Sequence, residues 1–173
     1  MAKTIFITGA SSGLGKASAK LFQSKGWNVI ATMRNPEDET ELTRLDNVSL
    51  LPLDVTNLEQ IKTTVEKAIS MHDIDVVFNN AGYGLMGALE GLTDEKIARQ
   101  IDTNLLGVLR ITQAFIPYFR QKKSGLFIST TSIGGFMGFP LHSIYHATKF
   151  ALEDFKNASS LNGLPTDLTS NSV

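Results

Sequence analysis

The chain has 173 residues, enough for one sizeable domain. It is 42% hydrophobic and 19% charged with a net charge of −1, so it lacks the basic surplus that nucleic acid or an anionic membrane would attract. It has no cysteine, which excludes disulfides and Cys-based zinc sites and is compatible with a reducing compartment.

Short apolar, β-rich runs alternate with helical patterns along the chain. TIFIT at 4–8 predicts a first strand. A helix follows from Leu14 to Lys25, with Ala17, Leu21 and Phe22 on its inner face and Gly26 as its stop. NVIATM at 28–33 reads as a second strand, and the charged stretch NPEDETELTRLDN carries a turn and a short helix. VSLLPL at 48–53 is the third run, in which Pro52 argues against a regular central strand. Residues 57–70 predict an amphipathic helix with Leu58, Ile61, Val65, Ala68 and Ile69 inward.

IDVVF at 74–78 is the fourth run. Thr93-Asp94-Glu95 opens the longest helix, to about Gln121, with its regular part kinked or ended at Pro117. GLFIST at 125–130 is the fifth run, and a last helix begins near Ser143. Alternating strand and helix predicts an α/β, Rossmann-type doubly wound parallel sheet in three α/β/α layers. The apolar run in MAKTIFITGASSG is cut off too early for a signal peptide. No segment approaches the roughly 18 to 20 apolar residues of a membrane span. The expectation is a soluble, cytoplasmic protein. His72, His142 and His146 lack the spacing of a metal site, and no metal is expected.

TGASSGLG at 8–15 sets Gly9, Gly13 and Gly15 directly after a strand and at a helix start. Glycine allows a tight turn and close approach of a phosphate, and the helix N-terminus offers free N–H groups. Ser11 and Ser12 add hydroxyl donors. The same pattern also serves a plain βα turn. In dinucleotide sites a carboxylate about 20 positions on binds the ribose 2′-hydroxyl. Here Ala31-Thr32-Met33-Arg34-Asn35 holds an arginine instead. Arg34 can pair with a 2′-phosphate that a carboxylate would repel, which predicts NADP(H) over NAD(H). The competing view is a surface arginine after a strand.

In SIYHATKF at 143–150, Tyr145 and Lys149 share one helical face. A free tyrosine titrates near pH ~10 and is a poor base at neutral pH. A nearby cation favours phenolate and so makes a proton exchanger, each tenfold gain in acidity being worth about 1.4 kcal/mol. Taken alone, the pair also fits a helical tyrosine on a core beside a solvated lysine.

Thr8-Gly9-Ala10-Ser11-Ser12-Gly13-Leu14-Gly15, Leu53-Asp54-Val55, Asn79-Asn80-Ala81-Gly82, Asn104, Ser132 and Tyr145-His146-Ala147-Thr148-Lys149 occur in this order. Together they resemble the short-chain dehydrogenases/reductases, from the start of the chain to about residue 153. The resemblance implies an NADP(H)-dependent oxidoreductase acting on a carbonyl or alcohol. It implies that the glycine loop, Leu14 included, cradles the cofactor and that Asp54 and Val55 contact adenine. Asn80, Ala81 and Gly82 would close the fourth strand's end and line the cofactor. Tyr145 would be the general acid or base, with Lys149 on the nicotinamide ribose and lowering the tyrosine's pKa. Ser132 would hydrogen-bond the reacting oxygen and Asn104 would hold a water. Ser129, Thr130 and Thr131 compete with Ser132, and only the resemblance selects it.

Leu85, Met86 and GGFMGFP at 134–140 place apolar residues on loops, either as a pocket for an apolar substrate or packed on one another. His142 lies at the rim of that pocket or in solvent. The resemblance suggests a homodimer or homotetramer through helices near 93–121 and 143–156. It stops after Phe150-Ala151-Leu152-Glu153. Residues 157–173 are rich in Ser, Thr and Asn and show no strand-like run. The expected organisation is a domain over 1–156 and a polar tail over 157–173, either coil or an incomplete piece of a longer C-terminal region, without the last strands and with the fifth strand as a sheet edge. A non-catalytic NADP-binding module is the alternative reading.

Overall fold

The computed structural model describes residues 2–161 and 168–172. Six strands form one sheet: β1 (Thr4–Thr8), β2 (Asn28–Met33), β3 (Val48–Pro52), β4 (Val76–Asn79), β5 (Gly125–Ser129) and β6 (Leu168–Ser172). All pairings are parallel, in the order β3-β2-β1-β4-β5-β6. The main helices are α1 (Gly13–Ser24), α2 (Leu58–Met71), α3 (Asp94–Ile101), α4 (Gly107–Lys122) and α5 (Ser143–Leu161). The order reverses between β1 and β4, and open α/β sheets bind ligands at the carboxyl ends of the strands flanking such a reversal.

The strands are apolar because both faces are covered. Phe6 pairs in register with Ile30 and Val77, so all three point to one face, where they meet Leu51 and Phe127. Ile61, Val65 and Ala68 of α2 and Ile111, Phe115 and Phe119 of α4 close that face. Phe6 and Phe115 meet edge to face at 5.0 Å between ring centroids. Ile5, Ile7, Val29, Ala31, Val76 and Phe78 point to the other face, where Ala19 and Phe22 of α1 pack.

Helix α1 ends as its sequence predicts. Gly26, at φ +79°, donates to Gln23 O at 2.9 Å, and Trp27 N–H donates to Phe22 O at 3.1 Å. This is a Schellman cap, and the Phe22 and Trp27 rings that bracket it lie 4.9 Å apart. Its inner face differs from expectation: Gly15 and Ala19 are buried, while Ala17 and Leu21 are exposed. The helix lies so close to the sheet that its smallest residues face inward. Leu58 likewise points outward at the start of α2, where Asn57 caps the helix by accepting from Gln60 N–H at 3.0 Å.

The long helical stretch breaks elsewhere than expected. Asp102–Leu106 forms a π-helical turn between α3 and α4, whereas Pro117 sits inside α4, which runs on to Lys122. Pro117 and Gln113, whose carbonyl loses its donor, are both exposed, so water can satisfy that carbonyl. Pro52 is the last residue of β3, which is an edge strand, the place where proline is tolerated.

The coil expected over 157–173 is corrected where the tail is described. Helix α5 continues to Leu161, and Leu168–Ser172 forms β6, paired in parallel with β5. Strand β5 is therefore not the sheet edge. A strand held by its backbone ladder needs no apolar run, so LTSNS carried no strand signal. Residues 162–167 and 173 lie outside the described residues.

Candidate active site

The glycine loop is held from across the sheet. Asn80, just after β4, donates from Nδ2 to Thr8 O and Gly9 O, both at 3.1 Å. Thr8 Oγ1 in return accepts from the backbone N–H groups of Asn80 and Ala81, both at 3.0 Å. The loop sits so tightly on this support that a Cβ on Gly9 would fall 2.8 Å from Ala81 Cα, and one on Gly15 only 2.4 Å from Gly9 O. The Ser12 side chain makes no cap bond and the first turn of α1 holds no acid, so an uncapped helix start, at Ser12, Gly13 and Leu14, borders the cleft and suits an anion.

A cleft of about 1430 Å³ runs along the carboxyl ends of the strands. Gly9, Ser11, Ser12, Gly13 and Leu14 line its floor, while Gly15 lies behind them against Gly9 and Asn80. Arg34, Asp54 and Val55 form one end, and Asn80, Ala81 and Gly82 the middle. Burial pushes the Asp54 carboxyl up, but bonds from Thr56 N–H at 2.9 Å and Thr56 Oγ1 at 2.7 Å, with Arg34 and Arg99 nearby, hold it below the usual range. Arg34 is exposed and forms no ion pair among the described residues.

Tyr145 and Lys149 stand together on the cleft wall. Lys149 Nζ lies 5.7 Å from the Tyr145 ring centroid and donates to Thr130 O at 2.7 Å. The lysine is 6% exposed, and burial draws its ammonium down to about 8. Ser132 and Asn104 do not line the cleft. Ser132 Oγ accepts from Gly134 N–H at 3.1 Å, which leaves its own proton to donate. Asn104 is buried in the π turn, a widened turn common at functional sites, and its side chain brackets Tyr83. It donates to Tyr83 O at 2.8 Å and accepts from Tyr83 N–H at 3.0 Å.

A doubly wound parallel sheet, an uncapped helix start and a tyrosine–lysine pair on one cleft agree with what comparison finds. The short chain dehydrogenase family model matches residues 3–173. The chain belongs to the short-chain dehydrogenase family. Among short-chain dehydrogenases it is 41% identical over 158 residues to 3-ketodihydrosphingosine reductase of Bacteroides thetaiotaomicron, covering 91% of this chain and 57% of that protein. It is 35% identical over 165 residues to human 17-beta-hydroxysteroid dehydrogenase type 1, covering 88% of this chain and 50% of that one. The solved structure of ElxO with NADP bound superposes with a TM-score of 0.93 at 28% identity, over 99% of this chain and 72% of that chain. The chain thus spans about half of the length of these curated relatives. No helix among the described residues is long and apolar enough to cross a membrane.

The structural roles of several residues of this short-chain dehydrogenase site are not legible in its sequence, although Thr8 and His146 fall within the matching motifs. Thr8 is the acceptor that receives the β4 turn, yet it looks like any strand-end threonine. Arg99 lines the cleft from α3 and acts on Asp54, but with Lys96 three residues earlier it reads as a solvated face. His146 is buried between Tyr145 and Lys149, and its partners are backbone atoms that no spacing reveals.

Proposed function

We propose that this chain is the nucleotide-binding and catalytic part of an NADP(H)-dependent oxidoreductase that interconverts an apolar ketone and its alcohol. The observation that supports it most is that Tyr145 and Lys149 share a cleft with a glycine loop shaped for a pyrophosphate. The residues fit the cofactor. A side chain at Gly9 or Gly15 would collide with the backbone, and the open N–H groups of α1 suit a diphosphate. Arg34, with Arg99 across the same end, favours a 2′-phosphate and hence NADP(H).

When bound, the nicotinamide supplies the hydride. The chain supplies position and the proton. Tyr145 Oη donates a proton to the substrate oxygen during reduction and takes it back during oxidation. Lys149 uses one donor on Thr130 O and keeps two for a ribose and for the tyrosine side of the cleft. Ser132 Oγ, which accepts from Gly134 N–H and stands outside the lining of the cleft, is assigned to the same substrate oxygen by the family resemblance alone. The π turn at Asn104 opens the helical hydrogen-bond ladder where a water can enter.

Met86, Phe136, Met137, Phe139 and Leu141 are exposed on the loops beside this cleft, and they suit an apolar substrate. The two curated relatives are named for a ketodihydrosphingosine and a hydroxysteroid. Phe150, exposed on α5, would be covered in a homodimer or homotetramer, which sedimentation would register. The functional test is NADPH oxidation with long-chain ketones, steroid ketones and short aldehydes, beside direct cofactor binding. Turnover is expected with the apolar ketones. Binding without turnover of any carbonyl would leave only a nucleotide-binding module.

A further inference from the structure

One buried side chain on α5 has no part in this proton chemistry. His146 is 8% exposed, and both ring nitrogens are engaged. Nε2 accepts from Phe139 N–H at 2.9 Å, and Nδ1 lies 2.7 Å from Gly134 O. Because Nε2 accepts, the ring proton sits on Nδ1 and is donated to Gly134 O. One neutral tautomer therefore satisfies both bonds.

Those two partners bracket the loop that carries the apolar surface. Between them Phe136 and Met137 are exposed, and the Phe139 ring packs on the imidazole at 5.5 Å between centroids. The fit is close, since a Cβ on Gly134 would fall 2.6 Å from His146 Nδ1 and 3.2 Å from Tyr145 Cε1. The far end of the loop is tied to the segment that follows β4, where Gly87 N–H donates to Leu141 O at 2.8 Å. An apolar side chain at position 146 would fill space but leave Gly134 O and Phe139 N–H without their partner.

We propose that His146 is a positioning residue: its neutral imidazole clamps residues 134–139 onto α5 and so sets the apolar substrate wall relative to Tyr145. The effect on substrate rests on the function proposed above, whereas the effect on the loop does not.

The test compares the full chain with H146A, which removes both bonds, and H146Q, which keeps an acceptor in reach of Phe139 N–H. Three quantities are read: the rate of chymotrypsin cleavage within 133–141, NADPH affinity, and KM and kcat for an apolar ketone. H146A is expected to be cut in the loop at least tenfold faster and to show KM raised tenfold or more. Its kcat should fall less than threefold and its NADPH affinity should move less than twofold. H146Q should recover most of the protection. Cleavage and KM at wild-type values in H146A would overturn the clamp, as would a parallel loss of NADPH affinity, which marks general destabilisation. If the variants do not fold, hydrogen exchange at the Phe139 amide of the wild type decides: strong protection is expected, and free exchange refutes the clamp. A wild type inactive on every ketone would sink the proposed function, while loop cleavage and Phe139 exchange would still judge the clamp.

Discussion

The Lys149 ammonium lies over the ring of Tyr145, 5.7 Å from its centroid, and at the same time holds the Thr130 carbonyl at 2.7 Å. The contact joins α5 to the end of β5. Lys149 is buried and has no carboxylate partner among the described residues. A buried cation without an anion costs stability, and such sites are retained where chemistry needs them.

Tyr145→Phe removes the proposed proton donor and leaves the ring, with its packing against Lys149, in place. Turnover is expected to fall by a factor of about 10³ or more, within the range of a lost general acid. NADPH affinity, measured by fluorescence, should change less than about threefold. Full activity in this variant would remove Tyr145 from the mechanism.

The charge on Lys149 sets a pH dependence of stability. Burial lowers its pKa from 10.5 to about 8, so between these values the unfolded chain binds the extra proton and the folded chain does not. The cost of the buried charge is fully present below pH 8 and is relieved as pH rises from 8 towards 10.5. Lys149→Met removes a cost of roughly 3 kcal/mol, offset in part by the lost bond to Thr130 O. Urea unfolding at pH 7 should show the variant more stable by about 1 to 2 kcal/mol, yet catalytically dead. A variant less stable than wild type would contradict this account of the lysine.

Arg34→Asp places a carboxylate at the end of the cleft where a 2′-phosphate would lie. The ratio of NADPH to NADH affinity should fall by about tenfold or more, equivalent to about 1.4 kcal/mol. Titration calorimetry with each nucleotide reads the change directly. Arg99→Ala should move the same ratio in the same direction by less. An unchanged ratio in both variants would leave cofactor choice to other residues.

Two glycines of one loop should respond differently to alanine. At Gly13 a Cβ meets nothing within 4 Å, and only φ +54° opposes it, a cost of about 1 to 2 kcal/mol. At Gly15 the Cβ would press on Gly9 O at 2.4 Å and Asn80 Nδ2 at 2.5 Å, so α1 must move off the sheet. Gly15→Ala is expected to cost more than about 2 kcal/mol in thermal or urea unfolding, in the range of core overpacking. Equal costs for the two variants would show that the helix gives way freely.

Strands β1, β2 and β4 were legible because both their faces are buried and their runs are continuously apolar. The glycine loop and the Tyr145–Lys149 pair, which line one cleft, were legible as motifs because their residues stand at short, fixed spacings along the chain. The inner face of α1 was misread because close packing selects Gly15 and Ala19 over the larger Leu21, which reverses the usual inference from hydrophobicity. Asn104 was singled out by the resemblance alone, and the contact that holds its side chain, the Tyr83 backbone, is reached only in the fold. Strand β6 could not be read, because its pairing with β5 is a backbone ladder and its composition is polar.

Asn80 and Thr8, which together shape the glycine loop, are separated by 72 residues. Parallel strands such as β1 and β4 cannot meet through a hairpin, so their pairing depends on long crossover connections. The loop therefore acquires its binding shape only when the centre of the sheet has closed. By linkage, a nucleotide held there at a hundred times its Kd stabilises the native state by about 2.7 kcal/mol. It acts as a staple across the middle of the fold, and excess cofactor should rescue a variant whose core lies far from the cleft.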